Sequence, residues 1–336
     1  MIMLPATYQA FVVRRTESGY NRAIEQRHIE ELPEGEVLVQ VHYSSLNYKD
    51  ALSASGNRGV TKSYPHTPGI DAAGFVAWSG NKEFAQGDEV LISGYDLGMD
   101  TSGGFGQFIR VPVDWVLHKP ENLSLKKSMQ IGTAGFTAAQ CIEALLDQGV
   151  QPGDGPVLVS GATGGVGSVA VALLVSLGFS VTAVTGKEEE HDFLFSLGAE
   201  KIMSREQATS GKEKMLLRER WTGVIDTVGG DILASAVKST QYGGTVTCCG
   251  NAASGELPLN VYPFILRAVK LIGIDSARCP LAKRKKIWQK LAGEWQIPHI
   301  DEMSTTITLN ELSTAIDRML QGGIKGRVVV DLREDV

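Results

Sequence analysis

The chain has 336 residues, of which 43% are hydrophobic and 21% are charged. This composition is typical of globular proteins, and the length exceeds one ordinary domain, so we expect two domains with a cleft between them. A net charge of −6 at pH 7 gives no general attraction to nucleic acids or anionic membranes. No segment approaches the ~18 uninterrupted apolar residues of a membrane span, so neither nucleic acid nor membrane is a predicted partner.

The four cysteines form no C-x-x-C pair and no cluster of metal ligands; they are Cys141, Cys248, Cys249 and Cys279. Unpaired thiols are typical of reducing compartments. The N-terminus MIMLPATYQAFVVRR has the pattern of a strand and not of a secretion signal. We therefore predict a cytoplasmic protein, in which Cys248 and Cys249 pack at the end of a strand.

The first part of the chain, from Tyr8 to about Leu125, is predicted to be rich in β-strands. Its apolar segments are short, contain many β-branched and aromatic residues, and are separated by turn-forming residues. They read TYQAFVV, EVLVQVHYSS, FVAW, DEVLISG and GQFIRVP. Between them lie the polar segment 44–50 and the proline-rich loop 65–74, which we expect to form the wall of a site.

Strands and helices alternate after residue 128. A helix over 129–146 is followed by strands at 157–159, 180–185, 201–203, 224–228, 245–249 and 270–274. This alternation predicts an α/β fold with a doubly wound parallel sheet. A last strand at 328–330 is expected to return to the first domain. We assign 1–126 and 297–336 to the first, discontinuous domain and 127–296 to the second, α/β domain.

A basic run, Lys283-Arg284-Lys285-Lys286, lies in a further predicted helix over 281–293. It is the main local patch that could hold a phosphorylated ligand. A run of like charges usually lies on a solvated helix face, and this is the interpretation that we adopt.

The stretch 157–178, VLVSGATGGVGSVAVALLVSLG, has the pattern strand, glycine-rich turn, helix. Glycines let the backbone turn sharply and bring N–H groups against a pyrophosphate, and the helix N-terminus adds partial positive charge. Because the surrounding strands and helices supply the required context, the stretch predicts a dinucleotide site.

The end of the next strand indicates which dinucleotide is bound. NAD-binding sites usually place an Asp or Glu about 20 residues after the glycines, where the carboxylate binds the ribose hydroxyls. Here Thr185-Gly186-Lys187 occupy that position. Because a cation attracts a 2′-phosphate and a carboxylate repels it, we predict NADPH. The three glutamates at 188–190 leave an acid for NADH as the alternative.

Five segments, SSLNYKD, PGIDAAG, GTAGFTA, GATGGVG and PFILR, are spread over most of the chain. Together they resemble the medium-chain dehydrogenase/reductase superfamily. They are most similar to its zinc-free quinone oxidoreductase branch and, within that branch, to the bacterial acryloyl-CoA reductase group. The resemblance implies a β-rich GroES-like catalytic domain beside the Rossmann domain. It also implies a homodimer joined by the edge strand around 270–274.

The zinc-dependent members of that superfamily hold a catalytic metal with a cysteine near position 48 and a histidine–glutamate pair near position 71. This chain has Asn47-Tyr48 in the first place and Ile70-Asp71 in the second. Its six histidines offer no i, i+4 pair. We therefore expect no metal.

The resemblance also implies a set of cofactor contacts. The pyrophosphate is expected at Thr163, Gly164, Gly165 and Val166, the 2′-phosphate at Thr185, Gly186 and Lys187, and the nicotinamide end near Thr137 and Tyr48. Further contacts are expected at Asn251, Phe264, Ile265 and Ser276. An apolar interface between domains explains Phe264 and Ile265 equally well.

Without a metal, an activated alkene is the easiest acceptor of hydride. Hydride from NADPH can add to the β-carbon of an α,β-unsaturated carbonyl compound or thioester if donors stabilise the enolate oxygen. Tyr48 is the candidate donor, because a phenol stays protonated at neutral pH, and Asn47 could hold the same oxygen or the ribose. Lys49, Asp50 and Asp71 are interpreted as structural.

These features predict an NADPH-dependent reductase of a short α,β-unsaturated acyl-CoA, such as acryloyl-CoA. Arg267, Arg278 and Arg284 are candidate cations for the phosphates of CoA. The first alternative is a quinone or alkenal reductase with the same fold and cofactor. The second alternative is a non-enzymatic, NADPH-binding redox sensor.

Overall fold

Two compact units are present in the computed structural model, which describes residues 4–333. Unit 1 comprises 4–133, Ala277–Ala292 and 300–333, and unit 2 comprises Ala134–Ser276 and Gly293–His299. The basic segment that follows Ser276 therefore packs with unit 1, whereas the sequence prediction placed it in the nucleotide-binding domain.

Both units are made of strands and α-helices. The strands are β1 (Thr7–Thr16), β2 (Gly19–His28), β3 (Val37–Leu46), β4 (Asp71–Ser79), β5 (Glu89–Ser93), β6 (Phe108–Val111), β7 (Leu117–His118), β8 (Val157–Ser160), β9 (Val181–Val184), β10 (Lys201–Met203), β11 (Trp221–Asp226), β12 (Thr240–Cys248), β13 (Lys270–Gly273), β14 (Ser304–Thr308) and β15 (Arg327–Asp331). The α-helices are α1 (Tyr48–Ala54), α2 (Leu125–Asp147), α3 (Gly165–Ser176), α4 (His191–Ser196), α5 (Arg205–Thr209), α6 (Gly230–Lys238), α7 (Tyr262–Arg267), α8 (Leu281–Ala292) and α9 (Leu309–Leu320). Among the described residues, no helix is both long and apolar enough to cross a bilayer.

Unit 1 is built on a seven-stranded sheet with the order β14-β15-β3-β4-β5-β7, and β6 also pairs with β3. Alternation along β3 turns Val37, Val39 and Val41 into the main core of the unit. The hairpin of β1 and β2 contributes to both sides of this core: Phe11 and Val13 belong to the main core. Tyr8, Ala10 and Val12 belong to a second apolar cluster with Leu38 and Phe108. Strand β15 pairs antiparallel with β3, so the last strand lies in the sheet of unit 1.

The elements of unit 1 that were not predicted from the sequence include β2 and α9. Strand β2 pairs with β1 along ten residues, although its own side chains are mostly half-buried and show little alternation. Helix α9 is amphipathic and buries Leu309, Leu312, Ala315 and Ile316, which follow the i, i+3, i+7 spacing of a helix face. The pattern of α9 was therefore recognisable, whereas that of β2 was not.

Helix α2 contains an interruption that the prediction of a continuous helix over 129–146 missed. Gly132 has φ 51° and ψ −163°, which are not helical angles. A Cβ atom at this position would lie 2.7 Å from Arg327 Nη2 and 2.7 Å from Ser45 Oγ. Glycine is required here because the backbone lies directly against polar side chains of unit 1.

Unit 2 is a six-stranded sheet with the order β10-β9-β8-β11-β12-β13. All its strand pairs are parallel, as the alternation of strands and helices predicted. Helix α3 is buried along most of its length, with Val169, Val171, Leu173 and Leu174 inside, because it packs on the sheet between β8 and β9. The predicted strand at 270–274 is observed as β13 at the edge of this sheet.

The interpretation of the basic run in α8 as a solvated face is wrong for Arg284, whose side chain is fully buried. Its guanidinium donates to the carbonyl oxygens of Ser93 at 2.6 Å and of Ala277 at 3.1 Å. It also lies 4.5 Å above the ring of Tyr95. Helical spacing places Arg284 on the same face as the buried Trp288, so this cation holds the fold together.

Candidate functional site

The carboxyl ends of six parallel strands form one edge of the sheet in unit 2. The chain runs from β8 outward to β9 and β10, and then returns to the other side of β8 to form β11, β12 and β13. The strand order therefore reverses between β8 and β11, and ligands of doubly wound sheets bind outside the carboxyl ends at such a point. The glycine-rich turn follows β8 and so lies at the reversal.

The glycine-rich turn has a backbone that only small residues allow. Gly161 has φ +58°, and a Cβ on Gly167 would overlap the carbonyl oxygen of Gly161. Helix α3 begins at Gly165, and the amide of Ser168 donates back to Gly164 O. The helix amides that precede Ser168 are thus available to an anion. Glycines at 161 and 167 thus let the turn fold tightly against its own backbone and the end of β11, and the amides at the start of α3 could hold a pyrophosphate.

A buried carboxylate holds the start of the glycine-rich turn against the end of β11. Asp226, at the end of β11, accepts hydrogen bonds from Ser160 Oγ at 2.7 Å and from Gly229 N at 2.8 Å. Thr227 Oγ1 donates to Ser160 O at 2.9 Å. Burial raises the pKa of Asp226, and these hydrogen bonds oppose the rise. The ends of β8 and β11 are thereby tied together at the point where the strand order reverses.

The ends of β9 and β10 bring Arg205 against Gly186, the residue that precedes Lys187. Thr185 Oγ1 accepts the amide of Lys187 at 3.1 Å, which shapes the turn after β9. A Cβ on Gly186 would lie 2.7 Å from Nε of Arg205, so the Arg205 side chain covers the glycine backbone. Arg205 is exposed and opens α5 directly after β10. Two basic side chains and a glycine backbone fit a phosphate at this edge.

Sequence reasoning missed Arg205. The signal was present, because Ser204-Arg205 follow a three-residue strand, and neighbouring parallel strands end side by side. This signal points to Arg205 only when the pairing of β10 with β9 is known. The separation of Arg205 from Gly186 along the chain otherwise hides their contact.

The remaining cofactor candidates of unit 2 fall into two groups. Asn251 and Ser276 follow β12 and β13, so they belong to the same carboxyl edge as the glycine-rich turn. Thr137 lies on α2 and is buried, whereas Ile265 on α7 is 67% exposed. Phe264 packs against a core cluster of the unit, so an apolar packing role accounts for its position.

In unit 1 the two segments that the resemblance associates with zinc meet directly. Asn47 Nδ2 donates to Asp71 Oδ2 at 2.8 Å. The Asp71 carboxylate also accepts bonds from Ser45 Oγ at 2.6 Å, from Thr133 N at 2.9 Å and from Thr133 Oγ1 at 2.7 Å. Four donors thus hold one buried carboxylate.

Arg327 completes this group, and sequence reasoning did not identify it. Its buried guanidinium donates from Nη2 to Ser45 Oγ at 3.0 Å, from Nη1 to Asn47 Oδ1 at 3.4 Å and from Nε to the Gln130 carbonyl at 2.9 Å. Burial lowers the pKa of Arg327, and the charges of Asp71 and Asp50 oppose this. Together, Ser45, Asn47, Asp71, Thr133 and Arg327 form what we call the Asp71 cluster.

Asp50 and Tyr48 lie at the start of α1, directly beside the Asp71 cluster. Asp50 accepts the amides of Asn47 at 2.8 Å and Ile70 at 2.9 Å. Its complete burial raises its pKa to about 7, more than these hydrogen bonds lower it. Tyr48, the first residue of α1, is 44% exposed. Tyr48 is thus accessible at the first position of α1, and buried polar groups fix this end of the helix.

The residues present do not fit a zinc ion. Within residues 4–333 no group of three or more histidine, cysteine, aspartate or glutamate residues is placed to hold a metal. Asn47 and Ile70 supply no thiolate or imidazole, and Asp71 is occupied by four hydrogen-bond donors. No chemical step is therefore assigned to a metal.

Comparisons with known proteins match this arrangement. Residues 33–121 match the alcohol dehydrogenase GroES-like domain, and residues 165–292 match the zinc-binding dehydrogenase family. Acrylyl-CoA reductase AcuI of Ruegeria pomeroyi is 42% identical over 327 residues, which cover 97% of this chain and 99% of that protein.

Solved structures of relatives have the same fold and hold nicotinamide dinucleotides. The YhdH oxidoreductase of Salmonella enterica in complex with NADP is 41% identical, with a TM-score of 0.94 over 97% of this chain and 100% of that one. YhfP of Bacillus subtilis, named as a quinone oxidoreductase, is 41% identical over 97% of this chain and 99% of its own length. Its structure has NAD bound and a TM-score of 0.94, over 98% of this chain and 100% of that one. With its glycine-rich turn, parallel sheet and two matched domains, the chain belongs to the medium-chain dehydrogenase/reductase superfamily.

Proposed function

We propose that the protein is an NADPH-dependent reductase of the activated C=C bond in a short α,β-unsaturated acyl-CoA, converting acryloyl-CoA to propanoyl-CoA. The observation that carries the cofactor assignment is the pair Lys187 and Arg205 beside Gly186, at the edge where NAD-specific sites place a carboxylate. The substrate class is supported by the similarity to acrylyl-CoA reductase AcuI. Because YhfP has NAD bound, the preference for NADPH over NADH is tested by measuring the Kd for each.

The proposed cofactor site uses the carboxyl edge of unit 2. The turn at Thr163, Gly164, Gly165 and Val166 binds the pyrophosphate through backbone amides. Thr185, Gly186 and Lys187, joined by Arg205, bind the 2′-phosphate. Thr137, Asn251, Phe264, Ile265 and Ser276 are proposed as further contacts. When bound, NADPH supplies the hydride for the reduction.

Tyr48 is proposed as the donor that stabilises the negative charge on the enolate oxygen of the thioester, or that passes its proton to the α-carbon of the enolate after hydride has added to the β-carbon. Its phenol is accessible at the start of α1, and a positioned hydroxyl can donate a hydrogen bond that strengthens as the oxyanion forms. The amide of Asn47 is already bonded to Asp71 and Arg327. We therefore propose that Asn47 contributes by holding Tyr48.

The candidate cations for CoA differ in availability. Arg284 is buried, and its guanidinium bonds to backbone carbonyls of unit 1. Arg267 donates to the carbonyl oxygens of Leu217 at 2.7 Å and Lys238 at 2.8 Å, so it stabilises the fold of unit 2. Arg278 is exposed and is the one of the three that we propose for the CoA phosphates.

Substrate preference tests the proposed function. NADPH oxidation is measured with acryloyl-CoA, crotonyl-CoA, 1,4-benzoquinone and an alkenal, and the acryloyl-CoA product is identified by mass. We expect the highest kcat/KM with acryloyl-CoA and a product two hydrogens heavier. A much higher value with quinone or alkenal would establish the alternative enzyme, and NADPH binding without turnover of any compound would favour the redox sensor.

A homodimer and a cytoplasmic location are part of the same proposal. Strand β13 is an edge strand, and the neighbouring α7 exposes Ile265 and Leu266 to 67% and 58%. An apolar patch beside a free edge favours pairing with a second copy. Leu266→Glu is expected to give a monomer in analytical ultracentrifugation, and an unchanged mass would place any interface elsewhere. All four cysteines are free thiols, which is typical of a reducing compartment.

A further inference from the structure

The Asp71 cluster has no substrate-binding task in the proposed function, although its buried side chains are densely hydrogen-bonded to one another. Its members come from β3, β4, α2 and β15 and from Asn47, which directly precedes α1. Ser45, Asp71 and Arg327 are almost fully buried. Burying two opposite charges costs free energy unless the hydrogen bonds are well formed, so the cluster needs an explanation beyond stability.

The contacts of the Asp71 cluster converge on Asn47. Its side chain donates to Asp71 at 2.8 Å and accepts from Arg327 at 3.4 Å, and its backbone amide donates to Asp50 at 2.8 Å. Both ends of the amide and the main chain are therefore fixed. The next residue in the chain is Tyr48, whose side chain is accessible at the surface of unit 1.

We propose that Asp71, Arg327 and Ser45 are positioning residues that act through Asn47 to hold Tyr48 in its productive place. This rests on the donor role of Tyr48 in the proposed function. The cluster touches no reacting atom in this scheme. It fixes the peptide from which the phenol extends, and small displacements of a catalytic group cost large factors in rate.

Two adjacent serines of β3 offer a matched pair for the test. Ser45 Oγ donates to the Asp71 carboxylate and accepts from Arg327. Ser44 is equally buried, and its Oγ donates to the backbone oxygen of Asp71 at 2.7 Å. Ser45→Ala removes the bonds to the Asp71 carboxylate and to Arg327, whereas Ser44→Ala removes a bond of similar length to the Asp71 backbone and leaves the side-chain bonds of the cluster in place. Asn47→Ala removes the side-chain bonds that tie the residue before Tyr48 to Asp71 and Arg327.

The experiment is a double-mutant cycle on kcat with saturating NADPH and acryloyl-CoA, or whichever substrate of the panel is turned over. Tyr48→Phe is expected to lower kcat about 100-fold. Asn47→Ala and Ser45→Ala are expected to lower it about tenfold, and Ser44→Ala less than twofold. In the Tyr48→Phe background, Asn47→Ala and Ser45→Ala should each change kcat less than twofold, because the hydroxyl that they position is gone.

The outcomes separate the two proposals. Equal losses with and without the Tyr48 hydroxyl, or no loss from Ser45→Ala, would overturn the positioning role while leaving the proposed function intact. A Tyr48→Phe enzyme with unchanged kcat would overturn the donor role and the positioning role together. Should Asn47→Ala not fold, as judged by its melting curve, Ser45→Ala against Ser44→Ala decides the question.

Discussion

The carboxyl edge of the sheet in unit 2 and the Asp71 cluster of unit 1 use charge in opposite ways. At the edge, Arg205 is exposed and the amides of the glycine-rich turn precede the first bonds of α3. In the cluster, Asp71 and Arg327 are buried and their polar atoms bond to protein groups. We infer that the first region can meet the charge of a ligand, whereas the second uses its charges to fix its own side chains.

The largest expected effect concerns the dense packing of the Asp71 cluster. Gly132→Ala adds a Cβ that lies 2.7 Å from Arg327 Nη2 and 2.8 Å from Asp71 Oδ2, at a positive φ. We expect a loss of about 3 kcal/mol or more in the free energy of unfolding in urea. Gly322→Ala is the control, with a similar φ of +73° and nothing within 4 Å; it should cost about 1 kcal/mol. Equal losses of unfolding free energy in the two variants would mean that the positive φ alone, and not the clash with the Asp71 cluster, destabilises Gly132→Ala.

The next effect concerns the basic side chains at the carboxyl edge of unit 2. Arg205→Ala is expected to raise the Kd for NADPH about tenfold to 100-fold, because one charge-assisted bond to the 2′-phosphate is lost. Lys187→Glu should weaken NADPH binding further, through repulsion. The Kd for NADH should change little in both variants.

Lys201→Ala is the control for these two variants. Lys201 is exposed at the amino end of β10, away from the carboxyl edge. Titrations of NADPH and NADH, followed by their fluorescence, give both Kd values for each variant. An equal loss for NADPH and NADH in Arg205→Ala would place the 2′-phosphate elsewhere.

A gradual effect, spread over several pH units, is expected from the titration of Asp50, which lies beside the Asp71 cluster. Burial raises the pKa of Asp50 to about 7, whereas the same carboxyl in the unfolded chain titrates near ~4. The folded state therefore binds the extra proton between these pH values, and the stability this gives is lost as pH rises through 7. The unfolding free energy should fall by up to about 1.4 kcal/mol per pH unit across the window.

Asp50→Asn provides the comparison for the pH dependence. The asparagine side chain does not titrate. The difference between the two proteins in the slope of unfolding free energy against pH therefore isolates the contribution of Asp50 from that of other titrating groups. Urea unfolding between pH 5 and 8 gives both slopes. Parallel curves would show that Asp50 titrates as it does in the unfolded chain.

The smallest effect is expected from metal removal. The Asp71 cluster offers no thiolate or imidazole, so dialysis against a chelator should leave kcat within experimental error. The measurement is NADPH oxidation before and after dialysis, with metal content determined in parallel. A loss of activity that added zinc restores would overturn the interpretation of the cluster as a purely hydrogen-bonded group.

The nucleotide-binding features were predictable from the sequence because they are local. The turn GATGGVG follows an apolar strand and precedes an apolar helix, so a short window contains the whole signal. The absence of an acid at Thr185-Gly186-Lys187 is equally local. The alternation of strands and helices then determined the parallel sheet, and with it the carboxyl edge at which these residues lie.

Only the tertiary structure decided which distant side chains share hydrogen bonds. Ser45 bonds to Arg327 across 282 positions and to Asp71 across 26, contacts that depend on how β3 pairs with β4 and β15. The burial of Arg284 and the placement of Arg205 against Gly186 were hidden for the same reason. A sequence window reports the periodicity of one element, whereas strand order and register determine which elements face each other.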